Sequence, residues 1–235
     1  ASSNEQVSKA AFATLLLIGN SRELAILEVV VSAMKELMGG SNWGGSGKCK
    51  DEAANVIERI AVSLCNEEIH GMIVKVGVVG LLLKMAGENQ IGEYVKQIAA
   101  MGALAALSAT KAGRAAVAAM GCDRLVWRRK DEEVQHSAAK MLANLSEEHS
   151  EAVIASGAVE ACVKMVCKGE LRSEVSVVLC RLAAVAAPVV IRAWIALASK
   201  EHVAAEELLV LAGMGHRDVI IDCEVVPALK TLLTS

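Results

Sequence analysis

The chain of 235 residues is short of the residues that build sheets and tight turns. It holds two prolines, one Phe, one Tyr and three Trp. A sandwich or barrel of this length draws on more aromatics and more turn residues, so the composition excludes an all-β fold and favours helices. Positive charge is not in excess either: 24 Lys and Arg face 27 Asp and Glu, for a net charge of -3. No basic stripe is present to capture phosphates, which excludes nucleic acid as the partner. The seven cysteines form no C-x-x-C pair, and their number is odd. Most lie in apolar helical patterns and read as core thiols of a reducing compartment, hence an intracellular setting in the cytoplasm or an organelle matrix or stroma. The longest apolar run, 177–198, is interrupted by Arg181, Pro188 and Arg192. It reads as two buried helices separated at Pro188 and not as a membrane span. The first residue is Ala1 and not Met, which points to a processed chain or a fragment. Glu5 and Lys9 break the first apolar run, so no signal-peptide pattern stands there.

What the chain has in quantity is aliphatic surface. Hydrophobic residues make up 54%, and the mean hydropathy is +0.44. Part of that surface is expected to be covered by a partner.

The organising feature is an internal repeat. Shifted by 80 residues, segment 51–85 falls on 131–165 without a gap. Asp51-Glu52 meets Asp131-Glu132, Glu67-Glu68 meets Glu147-Glu148, and Gly77 meets Gly157. Val79 meets Val159, and Lys84-Met85 meets Lys164-Met165. An intermediate copy lies between them, since Leu104 to Ser108 resembles Leu142 to Ser146, and Met120-Gly121 resembles Ser156-Gly157. A shortened fourth copy contains Leu179-Cys180-Arg181-Leu182. A fifth ends in 224–229, corresponding to 157–162. The chain thus holds about five units of ~40 residues.

Each unit has one pattern. Val134, Ala138, Met141, Leu142 and Leu145 recur at helical spacing. A polar turn at 146–149 follows, then a brief helix from Ser150 to Ala155. Gly157 breaks that helix as a left-handed glycine does, and another helix runs from about Val159 to Val166. One unit cannot bury its apolar face alone, so neighbours must stack.

The segment Ala138-Ala-Lys-Met-Leu-Ala-Asn-Leu-Ser146, followed by Val153-Ile-Ala-Ser-Gly-Ala-Val-Glu-Ala-Cys-Val163, resembles an armadillo repeat. The resemblance is close over 131–165, fair over 51–108 and weaker beyond 170. It implies an all-α fold, an armadillo-like right-handed α-solenoid. Residues 1–50 would form an N-terminal helical cap and a Gly/Ser-rich loop, continuous with repeats over 51–235. It also implies a non-catalytic protein-binding scaffold or assembly subunit that needs no cofactor and works within a hetero-complex.

Other motifs carry less. Residues 42–49 look like a phosphate-binding loop, but Asn42 stands where the motif needs Gly and Cys49 where it needs Ser or Thr. No strand pattern precedes the loop. The five histidines form no metal motif, and His202 with Glu206 reads as a solvated helix pair.

In armadillo proteins that bind extended peptides, an asparagine at the place of Asn144 recurs and bonds to the peptide backbone. Here the equivalent positions read as Leu64, Ala106 and Arg181, so the ladder is broken. Taking also the residues four before each, the expected concave face carries Ile60, Leu64, Lys140, Asn144, Val177 and Arg181. It is a partly apolar groove that would hold a hydrophobic partner segment at Ile60 and Leu64 and its polar or acidic end at Lys140, Asn144 and Arg181. Two other functions fit the same pattern: an adaptor for linear peptides, and a regulatory module of a larger enzyme that senses a ligand.

Overall fold

The computed structural model describes residues 24–39, 48–87, 94–120, 132–169, 172–198 and 201–234. These residues contain helices and no strand. They fall into two compact units, Ala1–Asn144 and Leu145–Ser235.

The first unit holds α1 (Leu24–Gly39), α2 (Lys48–Ser63), α3 (Glu67–Val76), α4 (Val79–Gly87), α5 (Tyr94–Leu107) and α6 (Lys111–Met120), with nearly all of α7 (Glu132–Leu145). Its core forms where α2 and α4 pack on α5 and where α1 packs on α2. Ile57, Ile60, Leu82, Leu83, Leu104 and Leu107 are all buried there. Polar contacts tie successive repeats together. Asn66 caps α3, its Oδ1 accepting from the Ile69 amide at 2.8 Å. One residue on, the Glu67 carboxylate reaches the start of α6, accepting from the amides of Lys111 at 3.1 Å and Ala112 at 2.7 Å. An anion at a helix N-terminus satisfies unpaired donors and opposes the positive end of the dipole. His70 is fully buried between the same elements. Its Nε2 lies 2.9 Å from the Ala61 carbonyl, which can only accept, so the proton sits on Nε2. Its Nδ1 lies 3.0 Å from the Thr110 hydroxyl.

The second unit holds α8 (Ser150–Ala155), α9 (Ala158–Cys167), α10 (Arg172–Ala198), α11 (His202–Leu211), α12 (Arg217–Asp222) and α13 (Val225–Thr234). The brief helix, glycine and second helix expected from the sequence are α8, Gly157 and α9. Gly157 is left-handed at φ 73°, and Gly77 takes the same place after α3 at φ 85°. The third glycine of that set, Gly121, lies outside the described residues, as does the glycine-rich stretch 40–47.

Where the sequence suggests a shortened fourth copy, the structure has one long helix. α10 runs on through a break at Ala186, where φ is -141° and ψ 60°, two residues before Pro188. The expected separation at Pro188 therefore falls at Ala186. Proline supplies no amide and crowds the turn before it, so the helix axis changes there and resumes. After the break Val190, Ile191 and Trp194 are buried. Segment Ser173–Leu197 has the length and hydropathy, 2.0, of a helix that crosses a membrane. Part of its apolar surface is engaged by protein, since α10 packs on both α9 and α11, while Val177, Val185 and Val189 are exposed.

The last copy closes on a π-helical turn, Ala212–His216, in which Gly215 has φ 98°. Next come α12 and α13, of the same lengths as α8 and α9. Between them Glu224 adopts φ 58° at the place of Gly157.

Candidate functional site: the open rows of the third helices

Burial places each repeat in register more finely than residue identity does. On α7, Ala138, Met141, Leu142 and Leu145 are buried; Lys140 is exposed and Asn144 half-buried. On α5 the buried row is Ala100, Ala103, Leu104 and Leu107, and Gly102 and Ala106 stand half-exposed. On α10 the buried row is Val175, Val178, Leu179 and Leu182, and Val177 is 48% exposed; Arg181 is half-exposed. The rows of α5, α7 and α10 therefore fall where the sequence puts them.

The first repeat does not. Ile57, Ile60 and Ala61 are buried, Ile60 at 1% exposure. Leu64 is half-buried, at the place of Leu145, while Arg59 and Ser63 are exposed. The open pair on α2 is thus Arg59 and Ser63, and the assignment of Ile60 and Leu64 to an open groove is corrected. The cause is one extra residue between Leu64 and Gly77, compared with Leu145 and Gly157. The Asn66 cap starts α3 early, so α3 has ten residues where α8 has six and absorbs the insertion. The gapless 80-residue match aligns Gly77 with Gly157 correctly but puts α2 one position out of phase. One position is a 100° turn, enough to exchange a buried face for an open one.

The row in the first unit is therefore mostly polar and small: Arg59 and Ser63, Gly102 and Ala106, Lys140 and Asn144. Two features shape it. Glu58 reaches from α2 across α5 so closely that a side chain at Gly102 would collide with its carboxylate. Burial raises the Glu58 carboxyl above the ordinary carboxylate value. Asn144 is engaged within the protein. Its amide nitrogen donates to the Ser108 hydroxyl at 2.9 Å, and the Ala105 carbonyl lies 3.5 Å from the same nitrogen. The Ser108 hydroxyl in turn donates to the Ala105 carbonyl at 2.7 Å. This amide joins the end of α7 to the end of α5. Sequence reasoning missed Glu58, and the signal that could have found it is a glycine in mid-helix at Gly102.

In the second unit Arg181 pairs with Glu147 at 3.3 Å, both partners well exposed. Glu147, Glu148, Glu151, His149 and Val185 line an open cleft of about 420 Å³ beside that pair. The cleft is acidic, and the Arg181 guanidinium is turned to an acid of its own unit.

The described cysteines, Cys49, Cys65, Cys162, Cys167, Cys180 and Cys223, are all free thiols. Among the described residues only Cys162 is a core thiol. Cys65 is exposed and the rest are half-buried, which corrects the expectation that they lie in the core. Burial pushes the Cys162 thiol up to about 12. Burial and the nearby Glu207 also raise Cys180.

No protein-family model matches the chain, and no curated protein does. Solved structures are similar to it. A designed armadillo repeat protein in complex with the peptide (KR)4 matches with a TM-score of 0.61 at 19% identity, over 99% of this chain and 95% of that one. A computationally designed armadillo repeat protein for modular peptide recognition matches at 0.58 and 18%, over 97% and 86%. An engineered protein matches at 0.58 and 21%, over 100% and 87%. At such identities the likeness is one of fold. The chain is an all-α protein with an armadillo-like repeat fold.

Proposed function

We propose that the chain is a non-catalytic binding scaffold that takes a segment of a partner protein along the open rows of its third helices. The observation that carries this reading is the row on the first unit. Arg59 and Lys140 are exposed cations, and the helix between theirs presents only Gly102 and Ala106. Side chains this small let a partner backbone approach closely. Arg59 and Lys140 would hold acidic groups of the partner, and the half-buried Glu58 carboxylate would accept from its backbone amides or from a cation. Because Ile60 is core, this row recognises through polar groups and shape more than through an apolar trough. One designed armadillo repeat protein above is in complex with a peptide and another is designed for peptide recognition, which supports a peptide-like ligand.

The test is a displayed library of random peptides panned against the folded protein. Selected peptides should bind the parent chain and lose binding to Lys140→Glu and to Gly102→Leu. Peptides bound equally by the parent and both variants would show that the ligand sits elsewhere.

A further inference from the structure

Glu58 is an acid of the open row that its own surroundings leave without a donor. It is half-buried, and among the described residues no hydrogen bond or ion pair reaches its carboxylate. Burial raises that carboxyl, with no opposing pull from a cation. The sequence of the two helices explains this. One turn to either side of Glu58, α2 holds Ala54, Asn55, Ala61 and Val62, none of them a cation. Arg59 is adjacent in sequence, and adjacent residues do not face each other on a helix. Opposite stands α5, where residues 98–107 carry no charge. A carboxylate drawn out of water without a donor is unfavourable to the fold.

Gly102 holds the matching place on α5. Any side chain there would collide with the Glu58 carboxylate. Glycine in mid-helix is itself unfavourable, so two unfavourable choices meet at one point. Together they leave a carboxylate over bare backbone. The surface around it is apolar and low: Ile98 and Ala106 lie one turn to either side of Gly102 and are half-exposed, and Val62 is 59% exposed.

We infer that Glu58 is a specificity-determining residue of the open row and selects one arginine of the partner segment, its guanidinium on the carboxylate and its stem over Gly102. The inference rests on the row proposed above as the binding surface. The chemistry narrows to arginine in steps. A backbone amide brings one donor and no charge, whereas a desolvated carboxylate has two oxygens to serve and a charge to neutralise. Of the two cationic side chains, the guanidinium meets both oxygens at once through its planar fork and lies flat on small and apolar residues. An ammonium is a compact and strongly hydrated point charge. Arg59 and Lys140 are exposed on the helices to either side of Gly102, and they disfavour a run of basic residues. The segment therefore carries a single arginine between acidic residues.

Peptides panned on the parent chain test this. They are sequenced, and the tightest is made again with citrulline, a neutral isostere, in place of its arginine. Calorimetry measures both peptides against the parent and against Glu58→Gln, with circular dichroism confirming that the variant keeps its helices. The selected peptides should share an arginine with an acidic residue on each side. Citrulline and Glu58→Gln should each weaken binding roughly tenfold or more, and the two together little more than either alone, because both remove the same ion pair. Losses that multiply would overturn the inference. So would peptides that share no arginine, or that lose binding to Lys140→Glu and none to Glu58→Gln; the row would then stand as the binding surface without this selectivity. Peptides indifferent to Lys140→Glu and Gly102→Leu would overturn the row and the inference together.

Discussion

Glu224 has φ 58° at the place in its repeat where Gly157 has φ 73°. A side chain in the left-handed region is strained because its Cβ crowds the following carbonyl, at a cost of roughly 1–2 kcal/mol. Replacing it by glycine relieves that strain but frees the unfolded chain. Glu224→Gly is expected to raise stability by roughly 1 kcal/mol in a urea titration. Gly157→Ala should lower it by a similar amount, since no atom lies within 4 Å of the added carbon and only the backbone is strained. An unchanged midpoint for both would show that the two turns are not equivalent.

The bond from Asn144 to Ser108 makes a separate prediction. Asn144→Ala and Ser108→Ala should each cost about 1 kcal/mol, and their double-mutant cycle should show a coupling of about 0.5–1.5 kcal/mol. Simple additivity would mean that the asparagine does not join α7 to α5, returning it to the pool of residues open to a ligand.

Glu58 gives the protein a pH dependence of known sign. Its folded carboxyl titrates above the ordinary carboxylate value because burial disfavours the charge. Below the ordinary value the group is protonated in folded and unfolded chains alike and costs nothing. As pH rises through the ordinary value toward the raised one, the unfolded chain ionises first and stability falls; above the raised value the loss is complete. Glu58→Gln should therefore raise the Tm at neutral pH and leave it unchanged at pH below the carboxylate range. An equal shift at both pH values would place the effect in packing instead of charge.

Among the thiols, Cys65 and Cys162 should differ sharply. Cys65 is exposed. Cys162 is fully buried with its thiol pushed up to about 12, so little thiolate is present and none is reachable. Iodoacetamide should label Cys65 in the folded protein and Cys162 only after denaturation. Mass spectrometry of the labelled peptides reads this directly, and labelling of Cys162 at the rate of Cys65 would contradict the burial of α9.

Much of the fold was legible in the sequence because burial and periodicity coincide. Val134, Ala138, Met141, Leu142 and Leu145 recur at helical spacing and are all buried. The polar turn, the short helix and Gly157 stand where the pattern puts them. At the weak match of 224–229 to 157–162 the backbone at Glu224 repeats that at Gly157, but the burial of Val159 is not repeated at Val226. The open face was less legible. Residue identity aligned Gly77 with Gly157, and nothing in the composition of α2 marks the extra residue that α3 absorbs. The phase error shows only in burial, where Ile60 is closed and Arg59 open. The roles of Glu67, His70 and Glu58 were hidden for a different reason. Their partners lie some forty residues away, on helices whose packing the sequence does not display.

The most direct test of the account compares Arg59→Glu with Ile60→Glu, adjacent residues of α2 of which the first is exposed and the second buried. Each variant is melted by circular dichroism and then titrated with a peptide selected on the parent chain. The account predicts that Arg59→Glu melts like the parent and loses the peptide, while Ile60→Glu loses its cooperative unfolding transition because it buries a charge in the core. A folded Ile60→Glu together with an Arg59→Glu that binds as the parent does would contradict both the register and the proposed face.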